Sequence, residues 1–316
     1  DKLVTGVQTC ALPISAHPQD DPLPQRSLFV AVAPLLFVLI WSTGWIVAKF
    51  AAFDSGPFTF LALRFLFALV LLVPITFVTG GIWPRGRGAI GHALASGVLL
   101  HGLYLGGVWW AVANGVPAGL SAVIAALQPL MTAALAPLLA DEKIGWRRAV
   151  GFAVGFLGIL VVVSPKLFAI DPNALGSTLV PLLVNGVAML AVTLGTFWQK
   201  RWVKDGGLMP VAVLQYVGAL VLVAPAALLF EDLHFVVNTT SVLTMAWSVI
   251  ALSIGAIALL LNLIRCGEVS RAASLIYLVP PTAAVEAWFF FGETLGPVQI
   301  GGMVITAVGV ALANRR

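Results

Sequence analysis

Few side chains in this sequence can do chemistry, and most of them lie inside long apolar runs. Glu286 sits in "PPTAAVEAWFFF", six residues past Pro280. An ionisable acid in such surroundings is costly to bury and marks function by default. It suits uptake and release of a proton; a structural pair with Arg64, or a shallow place within reach of interfacial water, are the bland alternatives. Arg64, in "FLALRFLF", could hold the carboxylate of a small molecule, or snorkel to the interface and pair with a helix end. Pro129 and Pro280 each interrupt a helical run, which frees a carbonyl that needs a partner; a plain packing kink is the other reading. Gln128 and Tyr277 lie one and three residues before these prolines, and could turn polar tips into a cavity or bond between helices. Trp41 and Trp45 share a helix face, as do His101 and Tyr104. All four could line a cavity or belong to ordinary core. Asn262 is a further polar candidate. Trp109, Trp110 and Trp288 read as interface-belt or packing residues. Glu142 and Glu293 read as capping or fixing their turns. This is a set for holding a small molecule, with little material for covalent catalysis. No "GxxxxGK[ST]", "HExxH" or "GxSxG" motif is present, so coupling to nucleotide hydrolysis by this chain is not expected, nor is a metal or cofactor.

The elements that must position these residues follow from composition. Of the 316 residues, 60% are apolar and only 9% charged, and mean hydropathy is +1.03. Such a chain cannot cover a water-facing surface, and lipid is its solvent. Continuous apolar runs of about 20 residues, not the alternating runs of about ten that a barrel needs, predict helices. Ten are expected, at roughly 28–51, 58–79, 89–113, 118–140, 147–163, 178–200, 209–230, 241–265, 270–291 and 297–314. The fold class is all-α polytopic. Lys and Arg divide thirteen to two between the loop sets, which predicts a multi-pass protein of an inner or plasma membrane with both termini cytoplasmic. The net charge of +4 then faces anionic headgroups, and no nucleic-acid partner is needed.

An internal repeat organises the spans. "ALVLLVP" at 68–74 matches "ALVLVAP" at 219–225, an offset of 151. The same offset pairs Lys49 with Lys200, Pro129 with Pro280, "EKIG" at 142–145 with "ETLG" at 293–296, Gly151 with Gly302 and Gly158 with Gly309. The expected domains are residues 28–163 and 178–314, joined by a linker at 164–177, with 1–27 outside both. An odd number of helices per unit sends the second copy through the membrane the opposite way. Inverted repeats suit alternating access around one central site.

With "WSTGWIVAK" closing the first helix, Pro57 and Arg64 following it, and Pro129, Glu142, Gly151 and Gly158 repeated as Pro280, Glu293, Gly302 and Gly309, the sequence resembles the drug/metabolite transporter superfamily, its EamA-type exporters in particular. The resemblance covers about 28–314. It implies export of amino acids or other small metabolites, often in exchange for protons. Gln215 stands where the first half has Arg64, so Arg64 is one-sided.

The expected function is secondary transport of a small metabolite, an amino acid or amphipathic compound, by alternating access, with Glu286 as the proton-coupling residue. The substrate contacts expected are Trp41, Trp45, Arg64, His101, Tyr104, Gln128, Asn262 and Tyr277. A channel or facilitator is the alternative, and a membrane-embedded enzyme a remote one. The partners are a small-molecule substrate and the bilayer, with a homodimer left open. The opening string "VTGVQTCALPI" carries Cys10 and resembles one translated frame of a short-read sequencing adaptor. Residues 1–15 are therefore expected to be foreign to the protein, and they lack the apolar run of a signal peptide.

Overall fold

The architecture is that of a computed structural model, which describes residues 28–139, 146–168, 175–256, 259 and 278–314. The 1–27 segment, Glu142, Asn262 and Tyr277 lie outside the described residues. The elements are α1 (Leu28–Asp54), α2 (Pro57–Val78), α3 (Arg87–Ala113), α4 (Ala118–Ile124), α5 (Leu127–Leu139), α6 (Trp146–Phe168), α7 (Leu175–Trp202), α8 (Leu208–Phe230), α9 (Thr239–Gly255), α10 (Val279–Phe291) and α11 (Pro297–Asn314). Apart from an isolated antiparallel bridge between Ser55 and Phe235, the described residues form no strands. In lipid, every backbone polar group must be satisfied within the segment, and helices do this locally.

Six helical stretches among the described residues are long and apolar enough to cross a membrane: 35–54, 57–78, 87–113, 149–166, 176–202 and 208–230. The protein is an all-α polytopic membrane protein. The other expected spans fall on shorter apolar helices, and three of them, 118–140, 241–265 and 270–291, run into residues outside the description. The 164–177 segment, expected as linker, is helical at both ends: α6 runs on to Phe168 and α7 starts at Leu175. Lys166, in the last turn of α6, donates to the Gly115 carbonyl at 2.5 Å, and a cation there also favours the helix terminus.

The turns have local causes. Pro57 opens α2, where its missing N–H would be unpaired anyway. Asn238 and Ser241 form a reciprocal capping box that opens α9, at 2.7 and 2.9 Å. Gly292 closes α10 at φ 66°, a backbone shape that favours glycine.

The break between α4 and α5 belongs to Pro129. With no N–H on Pro129, the Ala125 carbonyl takes no bond from the residue four places on. The Gln128 N–H bonds it instead, at 3.1 Å, and the chain turns at Ala125–Ala126. The span expected at 118–140, with Pro129 interrupting it, is two helices, Ala118–Ile124 and Leu127–Leu139.

Two stretches bond more widely than an α-helix: Val98–Leu103 within α3 and Ser248–Gly255 within α9. They stand at the same offset of 151 that marks the sequence repeat. Wide turns of this kind gather at functional sites.

Glycines let particular helices touch backbone to backbone. A β-carbon on Gly309 would lie 2.1 Å from Gly155 N and 2.8 Å from Gly151 O, and one on Gly158 would lie 2.5 Å from Thr306 N. The repeat-marking glycines of α6 and α11 thus meet each other. Likewise a β-carbon on Gly97 would stand 2.0 Å from Gln215 O, joining α3 to α8. Gly309→Leu is expected to lower the detergent melting temperature sharply, since overpacking against backbone costs about 3 kcal/mol or more. Gly301→Leu, whose β-carbon meets nothing within 4 Å, is the control; equal melting of the two would refute the crossing. The outer surface carries exposed Phe77, Val78, Leu138, Val221, Phe230 and Phe289, as lipid-facing helices should.

Candidate functional site

A cavity of about 620 Å³ is walled by α1, α2, α3, the α4–α5 break, α7, α8, α9, α10 and α11. Its size suits a small molecule. One end reaches Gln199 and Leu208, at the turn between α7 and α8. The walls are mainly apolar and aromatic, with a few polar groups gathered in the middle.

Arg64 is the centre of that polar group. It is 6% exposed. Its Nε donates to Ser253 Oγ at 3.3 Å, inside the wide stretch of α9. Its guanidinium lies 5.7 Å from the centre of the Trp109 ring, within cation–π range. His101, in the wide stretch of α3, lies 5.0 Å from the Tyr216 ring, which stacks on Phe65 at 5.3 Å. Gln215 Nε2 donates to Ser96 Oγ at 3.0 Å, and Gln215 lines the same cavity as His101. Trp45 is buried, and its indole N–H has no hydrogen-bond partner among the described residues.

Away from Gln199, the helix ends are tied together. Glu231, after α8, accepts from Phe58 N at 2.9 Å, and from Thr59 N and Thr59 Oγ1 at 2.7 Å. Asn238 Nδ2 donates to Asp54 Oδ1 at 2.8 Å, and Val236 N to Asp54 O at 2.8 Å. Glu293, after α10, accepts from Ala118 N at 3.1 Å and Gly119 N at 3.0 Å, and pairs with the Lys49 ammonium. Two carboxylates late in the chain therefore cap two helices early in it, where the exposed N–H groups favour negative charge. Around them Phe50, Phe53, Phe290 and Phe291 pack edge to face or tilted. This end is sealed.

The sequence profile of the EamA-like transporter family matches the chain twice, over residues 28–164 and 181–315. The chain belongs to the EamA-like transporter family. It is 24% identical over 285 residues to a probable amino-acid metabolite efflux pump of Salmonella typhimurium, covering 87% of this chain and 91% of the relative. It is 27% identical over 281 residues to an uncharacterized inner membrane transporter of Escherichia coli, covering 87% and 88%. A solved protein crystal structure aligns over 90% of this chain and 96% of its own, with a TM-score of 0.60 at 16% identity; that likeness is one of fold.

In this EamA-like transporter, Trp41, Trp45, Arg64, His101, Tyr104, Gln128, Pro129 and Pro280, scattered from α1 to α10, all line the one cavity. Trp41 is also half exposed, tilted against Phe37 at 5.2 Å. Glu286 is absent from the wall. It faces α1, where Ser42 Oγ donates to its Oε1 at 2.7 Å, and its Oε2 has no partner among the described residues. Arg64 bonds Ser253 instead of Glu286.

Trp109, expected as belt or packing, is 2% exposed and stands in the cavity wall under Arg64. Face counting at 3.6 residues per turn fails across the wide stretch just before it, which rotates everything downstream. Trp288 is exposed as expected. Glu293 does more than fix its own turn, since it caps α4 and takes Lys49.

Sequence reasoning missed Tyr216, Ser253 and Glu231. Gln215 was within its reach: it is the offset partner of Arg64, and both line the cavity.

Proposed function

We propose that this EamA-like transporter is a secondary carrier of an inner or plasma membrane that exports a small metabolite by alternating access, exchanging it for a proton through Glu286. The observation that carries this reading is the cavity itself. It is of ligand size, is built from residues of both repeat units and reaches one end of the helices; in this reading the ties through Glu231 and Glu293 close the other end. A channel would need a path at both ends.

In this reading ten helices form two inverted five-helix repeats. Support comes from the doubly matching family profile, from wide helical stretches at equivalent places, and from the equivalent pair Arg64 and Gln215 in one wall. Inverted repeats let two shapes of similar energy exchange around a fixed site. Both termini are cytoplasmic in this reading, which the Lys and Arg distribution supports. The Glu293 and Glu231 seals then face outward, and the cavity faces the cytoplasm. Export is taken from the Salmonella relative, a probable amino-acid metabolite efflux pump. Glu286 lies beside Ser42 on α1, one helical turn from Trp45, so its protonation would be felt by a helix that lines the cavity.

Counterflow in proteoliposomes tests the carrier. Vesicles preloaded with a mixture of amino acids and organic acids are expected to accumulate the labelled members that the protein accepts, with saturation and trans-stimulation. Uptake that equilibrates without trans-stimulation would point to a channel and end the proposal.

A further inference from the structure

We infer that Arg64 and Trp45 form a carboxylate-binding subsite, so that the transporter selects an organic carboxylate with an apolar body and does not read an amino group. This rests on the carrier reading above and names its substrate class.

Arg64 is nearly buried and lines the cavity. A buried guanidinium away from water calls for a compensating anion. Its hydrogen-bond partner among the described residues is the neutral Ser253 hydroxyl. Guanidinium offers five N–H donors in a planar fork that matches a carboxylate, and the bond to Ser253 uses only Nε.

The second observation is independent. Trp45 lines the same cavity at 4% exposure, and its indole N–H is unpartnered among the described residues. An indole N–H can only donate, and a buried donor left unmade costs stability. Cation and orphan donor both ask for an acceptor that the described wall does not supply, and a ligand carboxylate supplies it.

The described wall offers a substrate ammonium no anionic counterpart. No Asp or Glu stands among the described residues that line the cavity. Glu286 is turned to Ser42, and Glu231 and Glu293 are committed to the sealed end. An ammonium could seek aromatic faces instead, but the Arg64 guanidinium already lies over Trp109 and repels a second cation. The rest of the wall is aromatic and aliphatic, which suits an apolar body.

The experiment uses the full-length protein in detergent and a panel of benzoate, 3-phenylpropionate, 4-methylpentanoate and octanoate. Each acid is paired with its neutral amide and its amine, and phenylalanine and phenylalaninamide are added. Thermal stabilisation against ligand concentration gives the affinities. Acids are expected to bind about tenfold or more tightly than their amides and amines, and 3-phenylpropionate at least as well as phenylalanine. In Arg64→Gln the acid-over-amide ratio should fall close to one while amide affinity is unchanged, an outcome that a merely structural arginine would not produce. Trp45→Phe should lower acid affinity a few-fold and leave the amides alone. A panel in which no acid outbinds its amide overturns the inference, as does an unchanged ratio in Arg64→Gln. Should counterflow fail while acid binding persists, the carrier reading falls and the subsite stands.

Discussion

Glu293→Gln is expected to open the sealed end of the cavity. With Cys10 and Cys266 replaced by serine and a single cysteine placed at Ala126, which lines the cavity, a membrane-impermeant maleimide applied from the Lys49 side should label the Gln variant about tenfold faster than the parent. Glu293 accepts two backbone N–H bonds from α4 and the Lys49 ammonium. Hydrogen bonds to a charged group contribute about 1.5–3 kcal/mol each. The Lys49 and Glu293 side chains are 27% and 14% exposed, so solvent screens part of that. A net bias of about 1.4 kcal/mol is a tenfold change in the open fraction. Lys49→Met should act in the same direction, and the double variant should fall short of additivity because the two groups share one contact. Equal labelling of parent and Gln variant would show that Glu293 does not hold the seal.

Glu286→Gln is expected to abolish gradient-driven transport while leaving exchange intact. Uptake into proteoliposomes under an imposed pH gradient should fall about tenfold or more, to the rate without a gradient, while counterflow at equal pH persists. The substitution keeps the shape and the bond from Ser42 and removes only the titratable proton. An intramembrane acid outside the ligand wall is suited to this separation of roles. The Ser42 contact joins α10 to α1, so a change in charge at Glu286 acts on the helix that bears Trp41 and Trp45. Gradient dependence that survives in the variant removes Glu286 from the coupling and leaves the cavity untouched.

Much of the fold was legible because lipid imposes a simple rule. A run of about 20 apolar residues has to be helical, and turn residues at 54–57, 114–119 and 202–207 mark where runs stop. The repeat was legible because the two halves keep one register over Pro74 and Pro225, Pro129 and Pro280, Gly158 and Gly309. The candidate residues Trp41, Arg64, His101 and Gln128 were each legible as unusual, since polar or amphipathic side chains stand out against leucine and valine. Less legible was anything that depends on which face a residue takes. Trp109, read as belt or packing, packs in the core against Phe60, and its place in the cavity wall under Arg64 was not legible. Glu286 stood out as an acid in a span, yet nothing local says that it faces α1 and not the cavity. Glu293 could be read as a turn residue, while its partners lie about 175 and 244 residues away.

By itself the sequence determined the solvent of this protein, its helical class, its repeat and its family, because these follow from composition and from spacing within one segment. The tertiary structure decided which helix ends are tied together, that Arg64 meets a neutral hydroxyl and an aromatic face instead of a carboxylate, and that Trp45, in the wall of the same cavity, keeps an indole N–H with no partner among the described residues. Those are relations between segments far apart in the chain. They are set by helix crossings at Gly97, Gly158 and Gly309 and by carboxylates that reach from one half into the other. No local pattern encodes them.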